Sequence, residues 1–368
     1  MNDGWVHVAD RTRARNLFLS LVHGPFSLQV IDGARRKQFG DGLYSTIFGD
    51  NRNLTRDQFQ FVDVRWRQID DESGGLTARV YQGMYRYGGT YAYDVPPVTL
   101  NVDEIRARWW GAEAQYARTL GPHHLTIGAE YVNVPGALLR NFDVNEDGSP
   151  VGCVSTATAT PCLDARSGTG NAALFVQDDV RLAAHWRLAG VLRHDRPRGL
   201  GSVTSPRLSV IYSPRDSTAI KLIYGSSFRT PNLYERAFTI PGYKSSPNIR
   251  PERVRTIELV AEHSFRPNLR ALGSIFEYRA RDLVTAFIDP VDSQWTYGNV
   301  QSQRSRGVEL ELQGRARWLD VRASVSAVNT KDETTGTRPP GSSARIAKFR
   351  AGVPWHDDRW HLGMEARH

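Results

Sequence analysis

Between Thr12 and His368 the chain divides into alternating segments of roughly ten residues, and the gaps between them alternate too, short then long. Thr12–Val22 and Phe26–Arg35 are separated only by His23-Gly24-Pro25. Thr204–Tyr212 and Ser217–Ser227 are separated by Ser213-Pro214-Arg215-Asp216, and Thr256–Phe265 and Leu269–Arg279 by Arg266-Pro267-Asn268. The intervening gaps, 36–57, 86–103, 134–171, 228–254, 280–303 and 329–343, are mostly long and polar. A membrane-crossing strand shows lipid only on alternate residues, and hydrocarbon tolerates no unpaired backbone edge. The pattern therefore predicts an all-β chain: a transmembrane antiparallel β-barrel with short periplasmic turns and long extracellular loops.

About sixteen strands are expected, near 12–22, 26–35, 58–68, 76–85, 104–118, 123–133, 172–182, 186–195, 203–212, 217–227, 255–265, 269–279, 304–316, 319–328, 344–353 and 359–368. Their parity assigns faces. Ile220, Leu222, Ile257, Leu259, Val308 and Leu310 are expected to face lipid, with Lys221, Glu258, Glu262, Glu309 and Glu311 in a polar lumen. Trp66, Tyr81, Tyr85, Tyr87, Trp109, Trp110, Trp186, Phe265 and Trp318 fall near strand ends, where aromatic girdles sit at headgroup level.

Composition agrees with such a wall. The chain is 40% hydrophobic and 10% aromatic over 368 residues, with a mean hydropathy of −0.45. No run approaches the roughly 18 apolar residues of a membrane helix. The net charge of +8 rests almost entirely on Arg. These Arg residues are scattered along the strands rather than clustered, so lumen, rim and anionic headgroups account for them and no nucleic-acid partner is expected. Met1-Asn2-Asp3-Gly4-Trp5 lacks the basic start and apolar stretch of an export signal, from which a missing natural N-terminus is expected.

Cys153 and Cys162 share the longest gap; in an exported protein such a pair forms a local disulfide or remains as two free thiols. Asp143, Asn145 and Asp147, followed by Gly148, match either the opening of a calcium loop or an ordinary acidic turn. Position 12 of that loop is Val154 instead of Glu, so a cation would need Asp164 or backbone carbonyls. No other cofactor is implied. The histidines lack zinc-like spacing, and no nucleophile elbow, phosphate loop or dinucleotide fingerprint occurs, so no enzyme is expected.

From Ser205 onward the order of blocks becomes specific. Ser205-Pro206-Arg207-Leu208 precedes Phe228-Arg229-Thr230-Pro231-Asn232-Leu233-Tyr234-Glu235; then come Asn248-Ile249-Arg250-Pro251-Glu252, Thr256-Ile257-Glu258-Leu259, Asn299-Val300 and Arg304-Ser305-Arg306-Gly307-Val308-Glu309. Gly121–Tyr131 and Phe175-Val176-Gln177-Asp178-Asp179 fit the same order. This closely resembles the barrel of TonB-dependent outer-membrane receptors, with their FRAPxLxEL, LKPE and RxxGxE-type blocks, over roughly 12–368.

The resemblance implies a barrel of about 22 strands with an N-terminal plug that the TonB complex grips, in the cell outer membrane of a Gram-negative bacterium. It implies uptake of a scarce ligand such as a ferric siderophore or cobalamin. Residues 1–368 then represent a partial barrel without the plug, with about six strands absent. Such a piece is expected to leak or misassemble rather than transport alone. The alternative is a passive porin-like channel, which sixteen strands would suit. Among the motif residues, Pro231, Pro251 and Gly307 are expected to set strand ends and turns, and Glu258 and Glu309 to pair with lumen Arg, rather than touch ligand.

Overall fold

A computed structural model describes residues 5, 10–68, 74–94, 97–151, 163–240, 242–316, 318–355 and 359–368. They form one antiparallel sheet of seventeen strands. The first half comprises β1 (Thr12–His23), β2 (Phe26–Gln38), β3 (Leu54–Arg67), β4 (Gly74–Tyr93), β5 (Thr99–Leu120), β6 (His123–Asn145), β7 (Pro150–Val151), β8 (Leu163–Ala183) and β9 (Trp186–Pro197). The second comprises β10 (Val203–Arg215), β11 (Thr218–Arg229), β12 (Glu252–Arg266), β13 (Leu269–Ile288), β14 (Trp295–Ala316), β15 (Leu319–Asp332), β16 (Arg345–Trp355) and β17 (Trp360–Arg367). Sixteen of these build the wall. The seventeenth, β7, is a two-residue strand folded back on the end of β6.

Pairing follows chain order, with β8 on β6 from His123 to Asn141 and β9 carrying the sheet on to β10. Among the described residues no ladder joins β1 to β17, and each of these strands is exposed at every position. The expected rims are present. Residues 24–25, 121–122, 184–185, 216–217 and 267–268 make tight turns at one rim, while 39–53, 230–251 and 333–344 form long connections at the other. Gly24 (φ 54°) and Gly121 (φ 59°), each followed by Pro, supply the positive φ of a primed hairpin turn.

The faces follow the expected parity. Ile220, Leu222, Ile257, Leu259, Val308 and Leu310 are all exposed, while Lys221, Glu258, Glu262 and Glu311 on the opposite face are partly enclosed. The enclosed face carries ion pairs: Lys221 and Arg270 on Glu262, Arg322 on Glu311, and Arg193 between Glu130 and Asp195. Satisfying these charges inside a lumen removes the cost of placing them against lipid.

Three expectations change. The gaps at 86–103, 134–171 and 280–303 are mostly strand, because β4, β5, β6, β8, β13 and β14 continue past the membrane. The first and third close as narrow hairpins at Tyr93↔Thr99 and Ile288↔Trp295. There both faces are wet, so backbone pairing continues without the apolar alternation that marks a strand in sequence. Second, Tyr81, Tyr85, Tyr87 and Trp109 are not girdle residues: they share the lumen face with Asp63 and Glu113, whereas Trp110 and Tyr131 lie outward, tilted against each other with centroids 5.4 Å apart. Third, no ion pair involves Glu258 or Glu309 among the described residues; on the lumen face Glu262 and Glu311 take the basic partners instead, and Glu277 pairs on the outer face.

Candidate functional site at the barrel mouth

The connection between β11 and β12 shapes the loop-side mouth. It begins at Arg229, which lies opposite Glu252 on the lumen face. The Arg229 guanidinium donates to Glu235 (2.9 Å twice) and to Glu252 (2.7 and 2.8 Å), a double fork of charge-assisted bonds. Glu252 also accepts from the Val284 backbone N–H at 2.7 Å, tying the latch to β13. The two carboxylates raise the pKa of Arg229, and its guanidinium holds the Glu252 carboxyl below the ordinary glutamate value.

Between the two ends stands the helix α1 (Leu233–Ala237). Asn232 accepts from the Glu235 N–H at 2.9 Å, and Glu235 accepts from the Asn232 N–H at 2.8 Å, a reciprocal capping box. Pro231, buried just before the cap, offers no N–H where the chain turns off the strand. Arg229, Pro231, Asn232, Glu235 and Glu252 thus come together in one latch. Asn248 lies exposed in a turn, next to buried Ile249. Asn299 fixes the chain before Pro251 by accepting from the Arg250 N–H (2.7 Å) and donating to the Arg250 carbonyl (2.9 Å). Phe228 is partly buried opposite Arg253.

From this latch the connection reaches across to other strands. Phe238 is buried with Leu139 of β6 and Leu163 of β8. Tyr234 stacks on Phe238 with centroids 4.3 Å apart and meets Tyr297 of β14 edge-on. Burial raises the pKa of Tyr234. Tyr243 bridges to Trp295, and Lys244 sits between Asp289 and Asp292 of the β13–β14 hairpin. The connection thus leans over the lumen, pinned on both sides by aromatic contacts.

Facing that lumen is an aromatic wall on β3, β4 and β5. Phe59 and Phe61 stack, Trp109 lies beside Phe59 (6.0 Å) and Tyr81 beside Phe61 (5.8 Å). Tyr85 donates to Asp57 at 3.0 Å, and the Tyr87 and Tyr91 hydroxyls hydrogen-bond to each other. Above it, Asn101 and Asn141 donate to each other and to Asp143 and Asp103, at 2.6–3.0 Å. The wall offers rings for stacking and fixed hydroxyl and carboxylate groups for polar recognition. Sequence reasoning missed it because aromatic residues near strand ends look the same whichever face they take. The available signal was parity: Tyr81, Tyr85 and Tyr87 are out of phase with Val80 of the same strand.

In the acidic run, Asp143 and Asn145 lie at the end of β6 and Asp147 in the turn that follows. Asp143 accepts from Asn101, Asn145 donates to the Ser149 hydroxyl at 2.9 Å, and Asp147 accepts from the Ser149 N–H and hydroxyl. Among the described residues no group of three or more His, Cys, Asp or Glu could hold a metal ion. Cys153 and Cys162 lie outside the described residues.

Residues 7–368 match the model of the TonB dependent receptor-like β-barrel. The chain belongs to that family. A stretch of 181 residues is 24% identical to the vitamin B12 transporter BtuB of Vibrio cholerae serotype O1, covering 49% of this chain and 28% of the transporter. The unliganded ferric citrate transporter FecA superposes with a TM-score of 0.76 at 16% identity, over 97% of this chain and 57% of FecA. A mutant of the ferric enterobactin receptor PfeA of Pseudomonas aeruginosa gives 0.72 at 17% identity, again over 97% of this chain and 57% of the receptor. The chain therefore spans little more than half of these receptors and about a quarter of the transporter. At such identities the structural likeness establishes the TonB-dependent receptor barrel fold. Arg306 and Gly307 of the family block sit on opposite faces of β14: Arg306 pairs with Glu277 at 2.6 Å, and Gly307 lies opposite Phe276.

Proposed function

We propose that this barrel serves an outer-membrane receptor that takes up a scarce chelate, a ferric siderophore or a cobalamin, with energy delivered by the TonB complex through a plug domain. The observation that carries the reading is the mouth itself. An aromatic wall with fixed hydroxyl and carboxylate groups faces a lumen overhung by the pinned β11–β12 connection. A non-selective passive pore has no need of stacking surfaces at its entrance, whereas a capture site for a large, flat or ring-bearing chelate does. BtuB, FecA and PfeA, all similar to this chain, carry names of vitamin and iron-chelate receptors, which supports the same class of cargo. No enzymatic step enters this reading.

The test is uptake by the gene's full product in a Gram-negative strain deleted for its own receptors, limited for iron or for cobalamin. Growth on one chelate that disappears when TonB is removed supports the proposal. Growth on any small solute regardless of TonB would establish the porin-like alternative. Tyr85→Ala with Trp109→Ala is expected to raise the chelate concentration needed for growth at least tenfold without reducing barrel abundance in the membrane.

A further inference from the structure

Above the aromatic wall, one carboxylate at the mouth stands without a cation. Asp103 of β5 lies opposite Gly89 of β4 and Asn141 of β6, and it accepts from the Asn141 amide at 2.6 Å. Burial raises its pKa, only the hydrogen bond from Asn141 opposes the rise, and no cation stabilises its charge. Asp143, opposite Asn101, is likewise held by an amide, at 2.7 Å. Three cations of the lumen and mouth are already committed elsewhere: Arg229 to Glu235 and Glu252, Arg193 to Glu130 and Asp195, and Lys244 to Asp289 and Asp292.

Phenol rings from three further elements surround this carboxylate. Tyr91 folds its ring over Gly89, directly opposite Asp103, so closely that a Cβ there would meet the ring at 2.6 Å, and its hydroxyl bonds to that of Tyr87. Tyr44, from the 39–53 connection, meets Tyr91 edge-on with centroids 5.9 Å apart. Burial raises the pKa of Tyr87, Tyr91 and Tyr234 of α1, and the charge of Asp103 adds to it in all three. Tyr44 and Tyr234 keep 66% and 40% of their surface exposed, which leaves two ring faces open. Tyr44 (φ 61°) and Ser45 (φ 62°) are successive non-glycine residues in the left-handed region, a costly conformation for each. Fully buried Asn53 holds the connection on the end of β4, donating to the Ile47 carbonyl at 2.9 Å and accepting from the Ala92 N–H at 2.7 Å. A strained turn held this firmly, with an exposed tyrosine on it, is pre-organised for contact.

We infer that Asp103, with Tyr44, Tyr87, Tyr91 and Tyr234, takes a cationic group of the arriving ligand, a protonated amine or a guanidinium, so that the mouth selects a chelate carrying positive charge over a wholly anionic one. Ring faces attract a cation and the carboxylate pairs with it. An anion in the same place would face Asp103 and Asp143 directly, and like charges brought together at an interface reject a partner. The inference rests on the proposed capture of a chelate at this mouth and adds the charge of what is captured.

The test uses the gene's full product purified from outer membranes in zwitterionic detergent, with binding read by isothermal titration calorimetry. Two probes differ by one charge: a linear ferric trihydroxamate with a free terminal amine, and the same chelate with that amine acetylated. The amine form is expected to bind about tenfold more tightly. Asp103→Asn should bring the two affinities within about twofold of each other, while Asp216→Asn, exposed at the tight-turn rim, removes the same charge and leaves the ratio unchanged. Equal binding of both probes, tighter binding of the acetylated one, no binding of either at millimolar concentration, or an unchanged ratio in Asp103→Asn overturns the inference. If Asp103→Asn does not fold, Tyr44→Ala is read in the same assay; a reduced ratio supports the site and an unchanged one overturns it. Because the ratio is measured on purified protein, its failure is distinct from an absence of TonB-dependent growth, which would sink the uptake function itself.

Discussion

Gly83 of β4 lies directly opposite Trp109 of β5, and the indole covers the glycine so closely that a Cβ there would enter the ring. The same relation holds for Gly111 under Tyr81, Gly128 under Phe175 and Gly307 under Phe276, all on the lumen face. Glycine lets each ring lie flat against the wall, covering exposed backbone and keeping the passage clear. Gly83→Ala is expected to destabilise the barrel by about 1–3 kcal/mol through overpacking, despite alanine's lower backbone entropy cost. In a Trp109→Ala background the same change becomes nearly neutral. A double-mutant cycle on denaturant midpoints measures this, and additive effects would refute the ring contact as the cause.

The latch at Arg229 makes a second prediction. Arg229→Ala leaves Glu235 and Glu252 side by side without their shared cation, and the helix α1 loses its anchor to β11. Because Arg229 is 45% exposed, solvent screening limits the effect to on the order of 1 kcal/mol. Hydrogen exchange over 233–247 should accelerate roughly fivefold, with the sheet itself unchanged. Arg229→Lys keeps the charge but not the double fork, so partial acceleration is expected.

The same latch should be sensitive to acid. Glu252 has its pKa lowered from the ordinary 4.5, first by the hydrogen bonds from Arg229. A carboxyl with a depressed folded pKa contributes stability that is fully present above its unfolded value and is lost as pH falls through the folded one. Asp289 and Asp292, lowered by Lys244, act in the same direction on the neighbouring hairpin. Proteolysis within 230–251 should stay constant from pH 7 to about 5.5 and increase below about 4.5. An increase confined to the neutral range would contradict this assignment.

Face parity predicts a fourth outcome. Leu310→Arg places a cation on the lipid face and should cost roughly 2–4 kcal/mol near the bilayer midplane. Glu309→Arg, one residue away, points into the lumen and should be tolerated within about 1 kcal/mol. Folding yields into lipid vesicles at matched denaturant distinguish the two, and equal losses would mean that the faces are misassigned.

The period-two spacing of Ile220, Leu222, Ile257, Leu259, Val308 and Leu310, with tight turns such as Gly24-Pro25, was enough to specify strands, faces and rims, because alternation in a lipid-facing wall is a local constraint on each residue. The ordered motif blocks, from Phe228 to Glu309, carried the family. Where hydrocarbon stops, so does that constraint. The continuation of β4–β6, β8, β13 and β14 beyond the membrane, the lumen placement of Tyr81, Tyr85, Tyr87 and Trp109, and the choice of Glu262 and Glu311 over Glu258 and Glu309 as ion-pair partners depended on which strands meet in which register. The same holds for Tyr44, Asp103 and Tyr234: scattered over 191 positions of the chain, they come together at the mouth only when the strands that carry them are set in register, since pairing between strands is decided by the whole sheet and not by any segment alone.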